Sequence, residues 1–450
     1  MAGKSFIKRN SVGIGTTTTE GRDAGIGTAV GEMAFVVGDG IDGGNGQLEV
    51  YTDNNEWKAI STETASVNQQ NYFGDESDGA FNSSGATTLT VANKNGSFDG
   101  DMMVRQHTSF TLNAGHNYNV DQPCRGLVIF ATGDVTINGS LSMTARGAYA
   151  DTVDNNTNPN TNIPAFVPSN GLIWKFAGPG SRSLSAGPTD LNGAGPPSGD
   201  ILTWLSLQNP GIDGRTGSEV RLSRQGAAGG AGAAGSPNTG RDGTAGTNGT
   251  NSSSSDLYTM STGGGGGGGN GAWSGDVSAG SGSFGSCFGG GSGGGGNRSE
   301  NDLDPGMNAG EWGGLGGFGD DGGTFNHCGG GGAGNPGGAG NSNNGTADPG
   351  EAGTGGLVVI VAKGSVTVGP GGSIRANGKD GGDASGHPDS NRVESGGGGS
   401  GGGIILIAHG GSYTNNGTVQ ANGGNGGNAP SNSGGAGGNG AIRSIPITAG

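Results

Sequence analysis

Glycine recurs at every third position in several separate stretches of this 450-residue chain, and no other feature limits its folding as severely. The series runs Gly211, Gly214, Gly217; then Gly226, Gly229, Gly232, Gly235; then Gly240, Gly243, Gly246, Gly249. It returns at Gly310, Gly313, Gly316, Gly319, Gly322 and at Gly331, Gly334, Gly337, Gly340. A period of three matches the turn of an extended left-handed helix, and it leaves one edge of that helix without side chains. Bare edges let backbones approach and bond to one another. A collagen triple helix needs one unbroken register and ~15–20% proline or more; here the runs are short and only 17 residues are proline. The pattern predicts a bundle of short polyglycine II helices from one chain.

Composition narrows the alternatives. With 110 glycines, 29% apolar and 13% charged residues, the chain lacks the side chains for a helical bundle, a coiled coil or a doubly wound nucleotide-binding domain. Low charge also argues against simple disorder. The formal charge of −16 would repel a polyphosphate, so a nucleic-acid partner is not expected. Cys124, Cys287 and Cys328 are too few for a disulfide framework, and a Cys287–Cys328 pair stays open. The basic N-terminus has no apolar stretch behind it, so it does not read as a secretory signal. The longest apolar runs, Leu357–Ala362 and Ile404–Ala408, fall far short of a membrane-spanning helix.

Glycine density shifts along the chain: residues 1–200 hold 29 glycines and residues 201–450 hold 81. Four segments follow. Residues 1–65 read as an N-terminal module of antiparallel hairpins, with Gly31–Val37, Gln47–Tyr51 and Trp57–Ile60 separated by Gly/Asp/Asn turns. Residues 66–150 read as a β-repeat domain and 151–225 as a proline-rich irregular arm, in which Leu172–Phe176 can be one strand. Residues 226–450 read as a glycine-rich domain of polyglycine II helices and further β-repeats.

The repeat is visible in three places. Gly126–Ala131 leads into Val135–Ile137 and Leu141–Met143; Gly356–Ala362 leads into Val366–Val368 and Ile374; Gly403–His409 leads into Val419. Each copy is a buried strand, a turn and one or two shorter alternating strands, and the last two end in Gly/Asn-rich tails. The expected fold is all-β: short strand repeats, solenoid or sandwich-like, combined with a bundle of polyglycine II helices.

The stretch Gly396–Ala408 continuing to Ala421–Gly427, together with Gly263–Gly269 and Gly329–Gly340, resembles the glycine-rich repeats of bacteriophage tail fibres and of distal tail-fibre adhesins. Gly31–Phe35 and Gln47–Trp57 are similar to a small hairpin module of phage fibres. The resemblance implies a polyglycine II sandwich whose intervening segments touch the host receptor. It also implies a homotrimer joined to other tail or virion proteins, a surface glycan or outer-membrane protein as partner, and assembly in the host cytoplasm into the virion. This chain is longer than such adhesins and carries extra β-repeats.

Catalytic signatures are missing. The histidines at 107, 116, 327, 387 and 409 are scattered, with no HExxH pattern. His327 beside Cys328 is the nearest approach to a metal cluster, and adjacent residues rarely share one zinc. Gly316–Asp321 starts like a calcium-binding nonapeptide but has no tandem copy, so calcium stays open and no metal or other cofactor is expected. Acids at Glu300, Asp302, Asp304, Asp320 and Asp321 leave a polysaccharide depolymerase as an alternative, with solvated turn carboxylates as the default. The aromatics carry more information. Tyr258, Trp273, Phe284, Phe288, Trp312, Phe318 and Phe325 fall within or between glycine runs. Glycine helices display little side-chain surface, so recognition would have to come from their connections. Tyr258, Trp273, Phe284, Phe288, Trp312, Phe325 and His327 are the candidate receptor contacts, with 301–311 and 384–394 as further loops. The alternative is that the same rings fill the edges of a thin sandwich or a subunit contact. A non-enzymatic tail-fibre protein that helps recognise a receptor is the expectation, with a purely structural fibre or decoration protein as the other non-enzymatic reading.

Overall fold

The computed structural model describes residues 73–91, 100–148, 220–234, 241–253, 257–271, 278–297, 316–317, 331–340, 346–385, 394–430 and 432–446. It also describes the backbone of short strands elsewhere, at Gly15–Thr17, Met33–Val36, Gln47–Tyr51, Trp57–Ile60, Leu172–Phe176 and Ser218–Leu222. Among the described residues every regular element is a strand. Contacts divide the chain into Met1–Gln70 and Asn71–Gly450, so the segments read as 151–225 and 226–450, and all but the start of 66–150, fall within one unit.

In the first unit, β1 (Gly15–Thr17), β2 (Met33–Val36), β3 (Gln47–Tyr51) and β4 (Trp57–Ile60) form one sheet in chain order. β1 joins β2 in parallel, and β2, β3 and β4 pair antiparallel with Met33 opposite Val50 and Leu48 opposite Ile60. Those are the hairpins that the turn-rich segments between them call for.

The second unit opens with β5 (Gly79–Asn82), β6 (Thr87–Leu89), β7 (Met103–Leu112), β8 (Asn117–Val120), β9 (Leu127–Ala131), β10 (Val135–Ile137) and β11 (Ser140–Ser142). Next come β12 (Leu172–Phe176), β13 (Ser218–Leu222), β14 (Asn251–Ser253), β15 (Leu257–Met260) and β16 (Thr346–Ala347). The remainder are β17 (Leu357–Ala362), β18 (Val366–Val368), β19 (Ser373–Arg375), β20 (Ala384–Ser385), β21 (Ile404–His409), β22 (Tyr413–Asn415), β23 (Thr418–Gln420) and β24 (Ala441–Pro446).

Most of these strands line up in three parallel ladders. Ladder one runs from the first half of β7 through β9, β17 and β21 to β24, with Val359 opposite both Val128 and Leu406. Ladder two runs from β5 through the second half of β7 to β10, β18 and β22. Ladder three runs β6, β8, β11, β19, β23, with Tyr118, Leu141, Ile374 and Val419 in one row. Because β7 serves two ladders, ladders one and two make a single nine-stranded sheet. The three apolar segments read from the sequence, at 127–131, 357–362 and 404–409, are thus direct neighbours in register.

Burial explains their unbroken hydrophobicity. Ile129, Ala131, Val358, Ile360, Ile405 and Ile407 face one core with Phe110, Ile137, Leu141, Val366 and Ile374. Their alternates Val128, Phe130, Val359, Val361, Leu406 and Ala408 face a second core completed by Val220, Leu222, Met260 and Phe288. A strand covered on both faces cannot alternate apolar with polar. The short strands β10 and β18 are buried on one face only, and they do alternate.

At the start of ladder two, His107 packs beside the stacked rings of Phe81 and Phe110, 5.6 Å from each, and its Nδ1–H donates to the Gly79 carbonyl at 3.1 Å. Its Nε2 is buried without a partner. Burial lowers the imidazole pKa below the ordinary value; the Gly79 bond and nearby Asp78 oppose that shift, while Arg105 adds to it. A histidine that binds its proton less readily when folded stabilises fully above the unfolded value of about 6.5, and that stability falls as pH drops through the folded value. Urea melts at neutral and mildly acid pH should show this loss, and His107→Gln should flatten it.

Between ladder three and the next pass of ladder one, the chain runs out and back through glycine-rich stretches that bond to one another chiefly by backbone groups. The stretch 263–271 is central. Gly263, Gly266 and Gly269 donate to Gly402, Gly399 and Gly396, each at 2.8–2.9 Å. Gly264, Gly267 and Asn270 donate to Thr247, Thr244 and Arg241, and Gly265 and Gly268 to Ser283 and Gly280. Carbonyls of the same stretch accept from Gly230 and Ala233, from Gly291, Gly294 and Asn297, and from Gly435 and Gly438. Successive residues therefore address different neighbours with a period of three, and one stretch bonds to six others.

Side chains finish the outer edge of this array. Asn422, Asn425 and Asn428 donate their N–H groups to the side chains of Asn377, Asp380 and Asp383 at 2.8, 2.6 and 2.6 Å. Ser433 and Asn439 do the same with Asp242 and Asn248, each at 2.8 Å. Asn and Asp at every third place in 377–383 and 422–428 signal this ladder, which the reading of glycine alone overlooked. These bonds are solvent-exposed, so Asp380→Ala with Asp383→Ala should cost only about 1 kcal/mol per bond in chemical denaturation.

Candidate functional site

The glycine stretches have two distinct ends. One merges with the strands: residue 403 runs directly into β21, 356 into β17 and 440 into β24. At the other end, Asn270 and Arg241 exchange backbone bonds of 2.9 Å, and Gly271 donates to Asn297. Gly269 donates to Gly396, Gly396 to Asn432 and Ala279 to Ala233, all at 2.9 Å. The described residues flanking 235–240, 272–277, 386–393 and 431 therefore lie together at this far end, as does the residue before 298–315. Five connections leave from one place.

A buried polar layer underlies that place. Asn270, Asn297, Glu394, Ser395 and Asn432 are all buried. The Asn270 amide donates to the Ala233 carbonyl at 3.2 Å, and the Asn432 amide donates to the Glu394 carbonyl at 2.7 Å. A hydrogen-bonded polar layer fixes the ends of neighbouring stretches relative to one another, and so sets the spacing of the connections above it.

The candidate contacts divide accordingly. Trp273 belongs to 272–277, flanked on both sides by far-end residues, and Trp312 to 298–315, of which the preceding residue lies there while Gly317 bonds to Gly293 within the array. Both residues, with Phe325, His327 and the loop 301–311, lie outside the described residues. Tyr258 is elsewhere, half-buried on β15 in the sheet β12-β13-β15-β14, with the Arg443 guanidinium 4.6 Å above its ring. Phe284 is partly buried near the strand end of the array. Phe288 is wholly buried in the second core beside Met260 and Cys287. Phe288 thus packs as core, and Tyr258 is shared between that core and Arg443. In the loop 384–394, Ala384–Ser385 pairs with β16 and Glu394 is buried.

Among the described residues, reactive groups are few. Cys287 is a free, fully buried thiol, and burial pushes its pKa far up, so it is not poised as a nucleophile. A groove of about 700 Å³ along the array is lined by Asp348, Glu351, Asp380, Asp383, Asn425 and Asn428. Three of its acids hold structure: Asp380 and Asp383 accept backbone N–H groups, and Glu351 pairs with Lys379 at 3.0 Å. Among the described residues no three His, Cys, Asp or Glu gather as a metal cluster, and no helix is long and apolar enough to cross a membrane. No family model, curated protein or solved structure matches the chain.

Proposed function

We propose that the chain is a virion structural protein of the bacteriophage tail-fibre type, which contributes to host recognition through the connections between its glycine stretches. In finer detail, the three ladders are the faces of a β-solenoid, and the glycine stretches form a hexagonally packed bundle of polyglycine II helices carried on one of its corners. The period-three bonding of 263–271 to six neighbours supports that reading of the bundle. The observation that carries the function is the convergence of five connections at the end remote from the strands. The interior of the platform is nearly free of side chains, and Asp380 and Asp383 at its edge are engaged with backbone N–H groups, so specificity falls to what its end displays. A surface glycan or an outer-membrane protein suits aromatic loops such as those containing Trp273 and Trp312. The working form is a homotrimer attached to other tail proteins and assembled in the host cytoplasm, without catalytic activity.

The full chain, labelled and added to host cells, tests this. Trp273→Ala and Trp312→Ala should reduce cell binding about tenfold or more, as truncation of an aromatic anchor does, while Phe284→Leu near the opposite end should leave it unchanged. Equal binding by all three would contradict the reading. A purely structural strut is the second reading, favoured by the packing of Tyr258 and Phe288 into the fold rather than onto its surface.

A further inference from the structure

The three ladders do not stop level with one another. At one end, β5 and β6 are the outermost strands of ladders two and three, while ladder one begins with β7. There the turn 75–78 folds over β7: Asp78 N–H donates to the Gln106 carbonyl at 2.9 Å, and Gln106 N–H donates to the Asp78 carboxylate at 2.7 Å. At the opposite end ladder one carries an additional strand, β24, while ladders two and three stop at β22 and β23. Each end is a step one strand high, and the two steps have opposite sense.

The step at β22 and β23 is an open edge. Val366 N–H donates to Ser412 and Asn416 N–H to Val368, which turns the backbone groups of Tyr413 and Asn415 away from β18. Thr418 N–H donates to Gly372 and Ala376 N–H to Gln420, which turns those of Val419 outward as well. Among the described residues no strand pairs with this edge, and Tyr413, Val419 and Ile442 are only partly buried against the first core there. Open edges are ordinarily guarded by Lys, Pro or a covering segment. β24 is guarded: it ends in Pro446, carries Arg443, and its Ile442 carbonyl accepts the Asn251 amide at 2.8 Å. β22 (YTN), β23 (TVQ), β5 (GAFN) and β6 (TTL) have no charge and no proline.

We propose that the β22–β23 edge receives the β5–β6 edge of a second copy, continuing ladders two and three across the junction. The steps have opposite sense, so β24 of one copy falls against the part of β7 that the other copy's turn 75–78 leaves uncovered, since that turn takes the backbone groups of Gln106. Charge agrees: the acidic turn Asp75-Glu76-Ser77-Asp78 of the second copy comes over β24, whose charged side chain is Arg443. The contact is head to tail and repeats along the direction in which the ladders grow, so it builds open linear stacks rather than a closed ring. It extends the fibre reading but needs no receptor, and either can fail alone.

Sedimentation of the full chain over a wide concentration range tests the junction, with two variants that remove an outward N–H and no ladder bond. Asp121 N–H donates to Leu89, which leaves the groups of Thr88 facing outward on β6. Thr88→Pro therefore blocks one edge and Val419→Pro the other. Wild type should grow into larger species with concentration; each variant, melting like wild type, should stay at the smallest. An equimolar mixture of the two retains one open edge of each kind and should stop at paired units. A wild type that never grows, variants that grow like wild type, or a mixture that stays unpaired would each overturn the proposal.

Discussion

Replacing Gly266 by alanine should abolish the folded glycine array, seen as loss of soluble protein or of its cooperative melting transition. Gly266 sits in the central stretch, donates to Gly399 and accepts from Gly294. A methyl group placed on it would overlap the carbonyl of Gly435, and the same addition at Gly263 or Gly269 would strike Gly438 or Asn432. Each obstruction is backbone within another bonded stretch, so no rotamer change relieves it. Either the two stretches separate, forfeiting bonds along their whole length, or the fold fails. The expected cost exceeds the ~1–3 kcal/mol of ordinary overpacking. Exposed Ala245→Ser, on the outer stretch 241–250, is the matched control and should be neutral.

The second large effect is in the strand core. Phe110 is fully buried where β7 passes from ladder one to ladder two. Its ring stacks on Phe81 at 4.7 Å and meets Tyr118 edge-on at 5.2 Å. Phe110→Ala should cost about 3–5 kcal/mol, because the cavity opens among strands held in register from both sides. Phe110→Leu refills most of the volume and should recover the greater part. Chemical denaturation of the three proteins measures both values.

Much of this arrangement is legible in the residues, for identifiable reasons. Unbroken runs such as 357–362 and 404–409 announce strands covered on both faces, and the glycine period announces backbone-to-backbone packing. Partner choice is not written locally. β9 and β17 are separated by more than two hundred residues, yet Leu127 lies beside Val358 in register. Nor does the alternation Phe110-Thr111-Leu112 reveal that β7 begins at Met103 and belongs to two ladders. Phe288, followed by a glycine run, invites reading as a displayed ring; the second core that encloses it is assembled from β9, β13, β15, β17 and β21, which only the folded chain brings together. The convergence of connections at one end was equally hidden, because it depends on which stretches run outward and which return.

Competition for adsorption tests the central claim most directly. The purified full chain, confirmed folded and assembled, is added to host cells before phage, and the unadsorbed phage are counted. The account predicts that adsorption falls steeply with added protein, and that protein lacking the Trp273 and Trp312 side chains competes poorly. Unchanged adsorption at saturating protein would contradict it and leave the chain a structural strut.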